Sequence, residues 1–223
     1  MAVFSRLLPV ALALSLAGGA LAQSPREGRS PRESAPRAAA PAPADGKAQD
    51  GKTADGKPRP PMTREAVLNE LYDRLAKTED AEEGKGIATA IERVNLRSGS
   101  DTADLLMTRA IAAAHRNNAE LAEDLVDRIL LLEPDWAEAW HRRATLRVAR
   151  EDISGGLEDL AQALKRDARH IGALAGLGFT LLKQENKPQA LRVLRRLLEL
   201  YPQFEPAKKA VERLGLELDG RTL

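Results

Sequence analysis

Three consecutive windows of 34 residues, 103–136, 137–170 and 171–204, repeat one pattern with no gap between them. In register, one column holds Leu106, Trp140 and Leu174, and four residues on stand the small residues Ala110, Ala144 and Gly178. Farther along come Ala122, Gly156 and Ala190, then Val126, Leu160 and Leu194, then Ile129, Ala163 and Leu197. Pro134 and Pro202 share a column near the window ends, with Ala168 between them. A period of this length belongs to stacked architectures, in which one unit cannot bury its apolar face alone and neighbours bury it together. The chain is thereby restricted to a row of similar units, and what the row binds is left open.

Each window divides into two amphipathic helices. In the third, Leu174, Leu177, Gly178, Leu181 and Leu182 follow the i, i+3, i+4, i+7, i+8 spacing of one helix face. Gln184, Glu185, Asn186 and Lys187 break it, and Pro188 suits the first turn of the next helix, where its missing N–H costs nothing. Leu191, Leu194, Leu197 and Leu198 form the second stripe, which Pro202 ends. The small columns let the two backbones approach, so a bulky residue at Gly178 or Ala190 is expected to force them apart. Helices are predicted near 103–115, 119–132, 136–149, 154–166, 170–184 and 188–200. Upstream, Thr63 can cap a helix reaching about residue 77, a second runs over 81–97, and Ser98, Gly99 and Ser100 break the chain. A last helix over 205–214, with Pro206 in its first turn and Gly215 just past its end, would cap the stack with Lys208, Lys209, Glu212 and Arg213 outward.

On these columns the chain resembles the tetratricopeptide repeat family. The third window carries the signature set Leu174, Leu177, Gly178, Leu181, Ala190, Leu194, Leu197 and Pro202. The first matches at Leu106, Ala110, Ala122 and Pro134 and departs at Arg109. The middle keeps Trp140, Ala144, Leu160 and Ala163 and departs at Arg143, Arg147 and Ala168, whose arginines are expected to lay their stems on apolar surface with heads in water. A weak fourth copy covers 69–102, where Tyr72, Leu75, Ala76 and Ala88 fit and Glu79, Glu92 and Asn95 do not. The resemblance implies an all-α solenoid of antiparallel helix pairs with a C-terminal capping helix. It also implies that first helices line a concave groove, on which Met107, Ile111 and His115, then His141, Thr145 and Val148, then Ala175, Phe179 and Leu182 should lie. Met107, Ile111, His141, Arg142, Thr145, Phe179 and Leu182 are the expected protein- or peptide-binding residues. One subgroup of the family grips chaperone C-termini with cationic groove residues. Met107, Ile111, Arg142, Gly172 and Gly176 stand at the corresponding places, and Arg142 alone is cationic, so that role is not expected.

The first 22 residues read as a secretory signal: Arg6, an apolar stretch from Leu7 to Ala17, and the small-x-small site Ala20, Leu21, Ala22, with cleavage expected after Ala22. The stretch is short for a membrane span, so no anchor is expected after cleavage, and the periplasm is the expected compartment. Cysteine is absent, which excludes disulfides. Residues 23–62 hold eight of the thirteen prolines and almost no large apolar side chain, the composition of a disordered tether. Their triplets Asp45-Gly46-Lys47, Asp50-Gly51-Lys52 and Asp55-Gly56-Lys57 match neither a phosphate loop nor a calcium loop.

Charge excludes more. The tether carries eight Lys/Arg against five Asp/Glu, and residues 63–223 carry 25 against 28. A near-neutral folded part lacks the clustered positive charge of a nucleic-acid surface, and Arg142-Arg143 and Arg195-Arg196 read as solvated helix faces. His115, His141 and His170 stand in no metal-ligand spacing, although His115 and His141 could share the concave side. Glu79, Asp80, Glu82 and Glu83 complement a helix start. With no converging acid, base or nucleophile and no cofactor motif, the expectation is a non-catalytic interaction scaffold for a protein or peptide partner, with no cofactor, metal or nucleic acid. An envelope enzyme or enzyme subunit, or a self-associating structural module, is the alternative.

Overall fold

The computed structural model describes residues 63–219, and all of them that are regular are helical. The helices are α1 (Arg64–Lys77), α2 (Ala81–Asn95), α3 (Asp101–His115), α4 (Ala119–Leu132), α5 (Ala137–Ala149), α6 (Ile153–Arg166), α7 (Ile171–Lys183), α8 (Lys187–Leu200) and α9 (Glu205–Asp219). The expected signal and tether lie outside the described residues. No helix among those described is long and apolar enough to cross a membrane.

Local chemistry sets the helix starts. Thr63 accepts from the Ala66 N–H, Asp80 from the Glu82 and Glu83 N–H groups, and Ser100 from Ala103. The second helix of every window begins on the same device: Asn118, Asp152 and Asn186 accept from Leu121, Gly155 and Gln189. Just before each cap stands a residue at positive φ, Asn117, Glu151 and Glu185, so the 34-residue period is written into the backbone of the turns.

Helices α3 and α4, α5 and α6, and α7 and α8 pack as antiparallel pairs, and the pairs stack through α4 on α5 and α6 on α7. The small columns make the close crossings. Ala110, Ala144, Ala122 and Ala190 are buried, and a Cβ on Gly178 would come 2.5 Å from Leu194 Cδ2 and 2.8 Å from its Cγ. Gly156 is as tight, its added Cβ falling 2.5 Å from Val148 Cγ2. Val148 thus faces its own partner helix rather than a groove. Leu174, Leu181, Leu191, Leu194 and Leu197 join Ala207, Ala210 and Leu214 of α9 in one core. Helix α9 continues through Gly215 to Asp219 instead of ending there. Leu214 is buried and Leu218 packs on the same core, and this packing outweighs the cost of about 1 kcal/mol for an interior glycine.

Helices α1 and α2 occupy the window expected as a weak fourth copy, but they do not stack on α3 as α4 stacks on α5. They fold back along the stack: α1 meets α8, and Tyr72, Leu75, Ile87 and Ile91 form a cluster with Tyr201 beside Ile171 and Phe204. Gly84 makes room for this contact, since its Cβ would sit 3.1 Å from the Tyr201 ring.

Candidate functional site

The α1–α2 hairpin is held along the edge where successive first helices begin. The last residues of the three windows, Trp136, His170 and Phe204, share one column and so make a row of rings at that edge. Trp136 donates its indole N–H to the Asn95 carbonyl at the end of α2, 2.8 Å away. Arg169 reaches Asn69 at 2.7 Å and lies 4.7 Å above the Tyr72 ring. Arg142 of α5 binds Glu92 of α2 at 2.7 Å. A cleft of about 490 Å³ remains between hairpin and stack, lined among others by Tyr72, Asn95, Trp136, Glu138, Arg169 and His170. Burial first, then the Asp167 charge, holds the Tyr72 phenol neutral, well above its ordinary range, and its hydroxyl has no hydrogen-bond partner among the described residues.

At the floor of the cleft Glu138 is buried with three basic neighbours. Arg142 pairs with its Oε1, His170 Nε2 stands 2.9 Å from its Oε2, and His141 Nδ1 stands 3.7 Å from the same oxygen. Burial works against the Glu138 anion, and the histidines and Arg142 outweigh it, so the carboxyl lies well below its usual range. Burial pushes the His141 imidazole down, outweighing the pull of Glu138. The His141 ring sits where a side chain at 172 would be, and a Cβ on Gly172 would come 2.8 Å from its Cε1.

The carboxylate and the two rings have the elements of a cation site, their ligand atoms lying within 4.8 Å of one another. The hydrogen bonds argue against that use. His170 Nδ1 accepts from the Ala173 N–H as the cap of α7, so its proton sits on Nε2 and is donated to Glu138. Both ring nitrogens are engaged, and Glu138 is already neutralised by Arg142. The same engagements leave His170 no nitrogen with which to move a proton for a bound molecule.

A second charged group links the first two repeats. Asp159 of α6 is buried and takes Arg143 at 2.9 and 2.8 Å and Arg147 at 3.0 Å, while Asp127 and Glu123 of α4 hold the same arginines from the other side. The guanidiniums of Arg143 and Arg166 flank the Trp140 ring at 4.8 and 4.6 Å. Arg142 and Arg143 are therefore paired and partly buried, not a solvated face, and the heads of Arg143 and Arg147 are bound rather than in water.

The expected binding residues separate on this geometry. Met107 is 2% exposed and belongs to the core of α3, α4 and α5, so it offers packing rather than open surface. Arg142 is paired with Glu92 of the hairpin and with Glu138, and the His141 ring packs on Gly172 and beside the His170 ring. Ile111, Phe179 and Leu182 are half-buried, the last two packed against the C-terminal core, and Thr145 is exposed, its hydroxyl bonded to the His141 carbonyl. His115 is exposed, and the histidine near His141 is His170. Glu138, His170, Asp159 and the aromatic row were not foreseen from motifs. The signal lay in the columns: rings at 136, 170 and 204, and an acid at 159 where the other copies have Leu125 and Val193, opposite arginines at 143 and 147.

A tetratricopeptide repeat family model matches residues 147–214. A TPR repeat-containing protein of Rhizobium etli is 33% identical over 153 residues, 69% of this chain and 75% of that protein. Among solved structures, the first TPR of Spaghetti (RPAP3) bound to an HSP90 peptide superposes with a TM-score of 0.51 at 17% identity, covering 54% of this chain and 98% of that one. The Sgt2 TPR domain from Aspergillus fumigatus gives 0.50 at 19% identity, over 55% and 83%. MamA gives 0.50 at 15% identity, over 63% and 84%.

Proposed function

This chain belongs to the tetratricopeptide repeat family, a fold of protein–protein interaction scaffolds, and from that premise we propose that it is a periplasmic scaffold holding a peptide or partner helix on its first-helix face. One observation carries the reading. The stack already holds an amphipathic helix of its own: α2 sets Ile87 and Ile91 into an apolar cluster that includes Tyr201, binds Arg142 through Glu92, and takes Trp136 on the Asn95 carbonyl. Apolar anchors with a few oriented polar contacts are how a groove recognises a helix. The surface left for a second chain runs over Ile111, Thr145, Phe179 and Leu182. The peptide bound in the solved RPAP3 complex is a precedent for the fold. The export-signal pattern of residues 1–22 is the ground for the compartment.

Crosslinking in the living cell, followed by mass spectrometry of the adducts, tests this. A photoreactive residue at Thr145 should trap a defined envelope protein. Phe179→Ala should lower the yield about tenfold or more at unchanged helix content, as loss of an aromatic anchor does. Equal yield from parent and variant overturns the groove. Recovery of the protein with residues 1–22 intact in the cytoplasm overturns the compartment.

A further inference from the structure

The stack has an open end. Column three of each window faces the preceding second helix: Ala139 and Ala173 stand there at 0% exposure, beneath α4 and α6. The same column in the first window is Leu105, and it is 53% exposed, because α1 and α2 do not stack on α3. Helix α4 agrees. Its Ala122, Val126 and Ile129 are buried, and its Glu123 and Asp127 reach Arg147 and Arg143 of α5. At 100° per residue, Leu121, Leu125 and Leu132 form a stripe on the flank turned away from α5. Leu121 is 46% and Leu132 53% exposed. The second window has Gly155 and Arg166 where this flank has Leu121 and Leu132.

We propose that this face, Leu105 of α3 with Leu121, Leu125 and Leu132 of α4, docks on the same face of a second copy of the chain. Residues 23–62 contain no large apolar residue except Met62, so their composition offers no apolar match for it. At the other end α9 exposes Lys209, Glu212 and Arg213 with one isolated leucine, Leu216, so head-to-tail stacking meets no stripe of matching leucines. The charges favour self-pairing. Arg109, Asp124 and Arg128 are exposed around the leucines, and none forms an ion pair among the described residues. Both signs on one face are what a twofold axis needs, because it brings the arginine of one copy to the aspartate of the other. Two α3–α4 pairs then meet as a four-helix layer. This contact leaves Thr145 and Phe179 untouched and is independent of what they bind.

Sedimentation velocity over a range of concentrations, on the full chain as the producing cell processes it, is the first measurement. The parent should be a dimer, and Leu105→Glu with Leu132→Glu should sediment as a monomer with the parent's helix content. Because the chain lacks cysteine, one introduced thiol reports the contact without background. Leu121→Cys should form a disulfide-linked dimer on mild oxidation, and Lys209→Cys on α9 should not. If the leucine pair unfolds the protein, the thiol result decides. A monomeric parent at about 0.1 mM, a dimer unaffected by the leucine changes, crosslinking through Lys209→Cys, or a complex with a different protein through these leucines overturns the proposal.

Discussion

Glu138 shows how one buried carboxylate is tolerated. An uncompensated buried anion is costly, but here Arg142 and the His170 N–H satisfy it. The cluster makes stability depend on pH with a definite sign. The His141 pKa is lowered in the folded state, so as pH falls through about 6.5 the unfolded chain takes up a proton that the folded chain refuses, and stability drops. The Glu138 pKa is also lowered. Its contribution is full above the unfolded carboxyl value of about 4.3 and is lost as pH falls below it. The urea midpoint should therefore decline from pH 7.5 to pH 5.5 and decline further near pH 4. His141→Gln should flatten the upper limb. A midpoint that rises between pH 7.5 and pH 5.5 contradicts the account.

For single helices, glycine separates two situations that composition cannot. Gly178 lies at the α7–α8 crossing, where an added Cβ meets Leu194 at 2.5 Å; Gly215 lies in α9 with nothing within 4 Å of the added atom. Gly178→Leu should overpack the crossing and cost roughly 1–3 kcal/mol. Gly215→Ala should instead stabilise by about 0.5–1 kcal/mol, since alanine removes backbone freedom from the unfolded chain and meets no obstacle. Thermal unfolding of both variants checks the pair of opposite signs. Equal midpoints for parent and Gly178→Leu would count against the close crossing.

Among the described helices, the α1–α2 hairpin is held to the stack through residues distant in sequence. Its hold comes from one apolar cluster and a few polar bonds: Arg142 to Glu92, Trp136 to the Asn95 carbonyl, Arg169 to Asn69, and Gln203 to the Thr78 carbonyl at 3.4 Å. Ile91→Asp would set an unpaired charge into a site that is 0% exposed. Hydrogen exchange should then show the amides of α1 and α2 losing protection while α5 to α8 keep theirs, the behaviour of a separable cooperative unit. Uniform loss over all helices would instead mean that hairpin and stack unfold as one.

The repeating columns by themselves determined the helices of the three windows and the close crossing at Gly178, while the caps at Asp152 and Asn186, which start α6 and α8 one residue earlier than expected, are seen only in the folded chain. The helices and the crossing depend on residues within one window, and helical periodicity reports local faces directly. The same pattern did not tell that Leu105 lacks the covering helix that Ala139 and Ala173 have. It placed Met107 on a first helix without saying that its side chain turns into the core. It gave the α1–α2 window a partial repeat signature, with Tyr72 and Leu75 in place, and could not tell stacking on α3 from packing against Tyr201. Tertiary structure decided these points because each depends on which distant element covers a face, and Glu92 and Arg142 meet across 50 residues. An amphipathic stripe states that a face must be buried; only the folded chain selects what buries it.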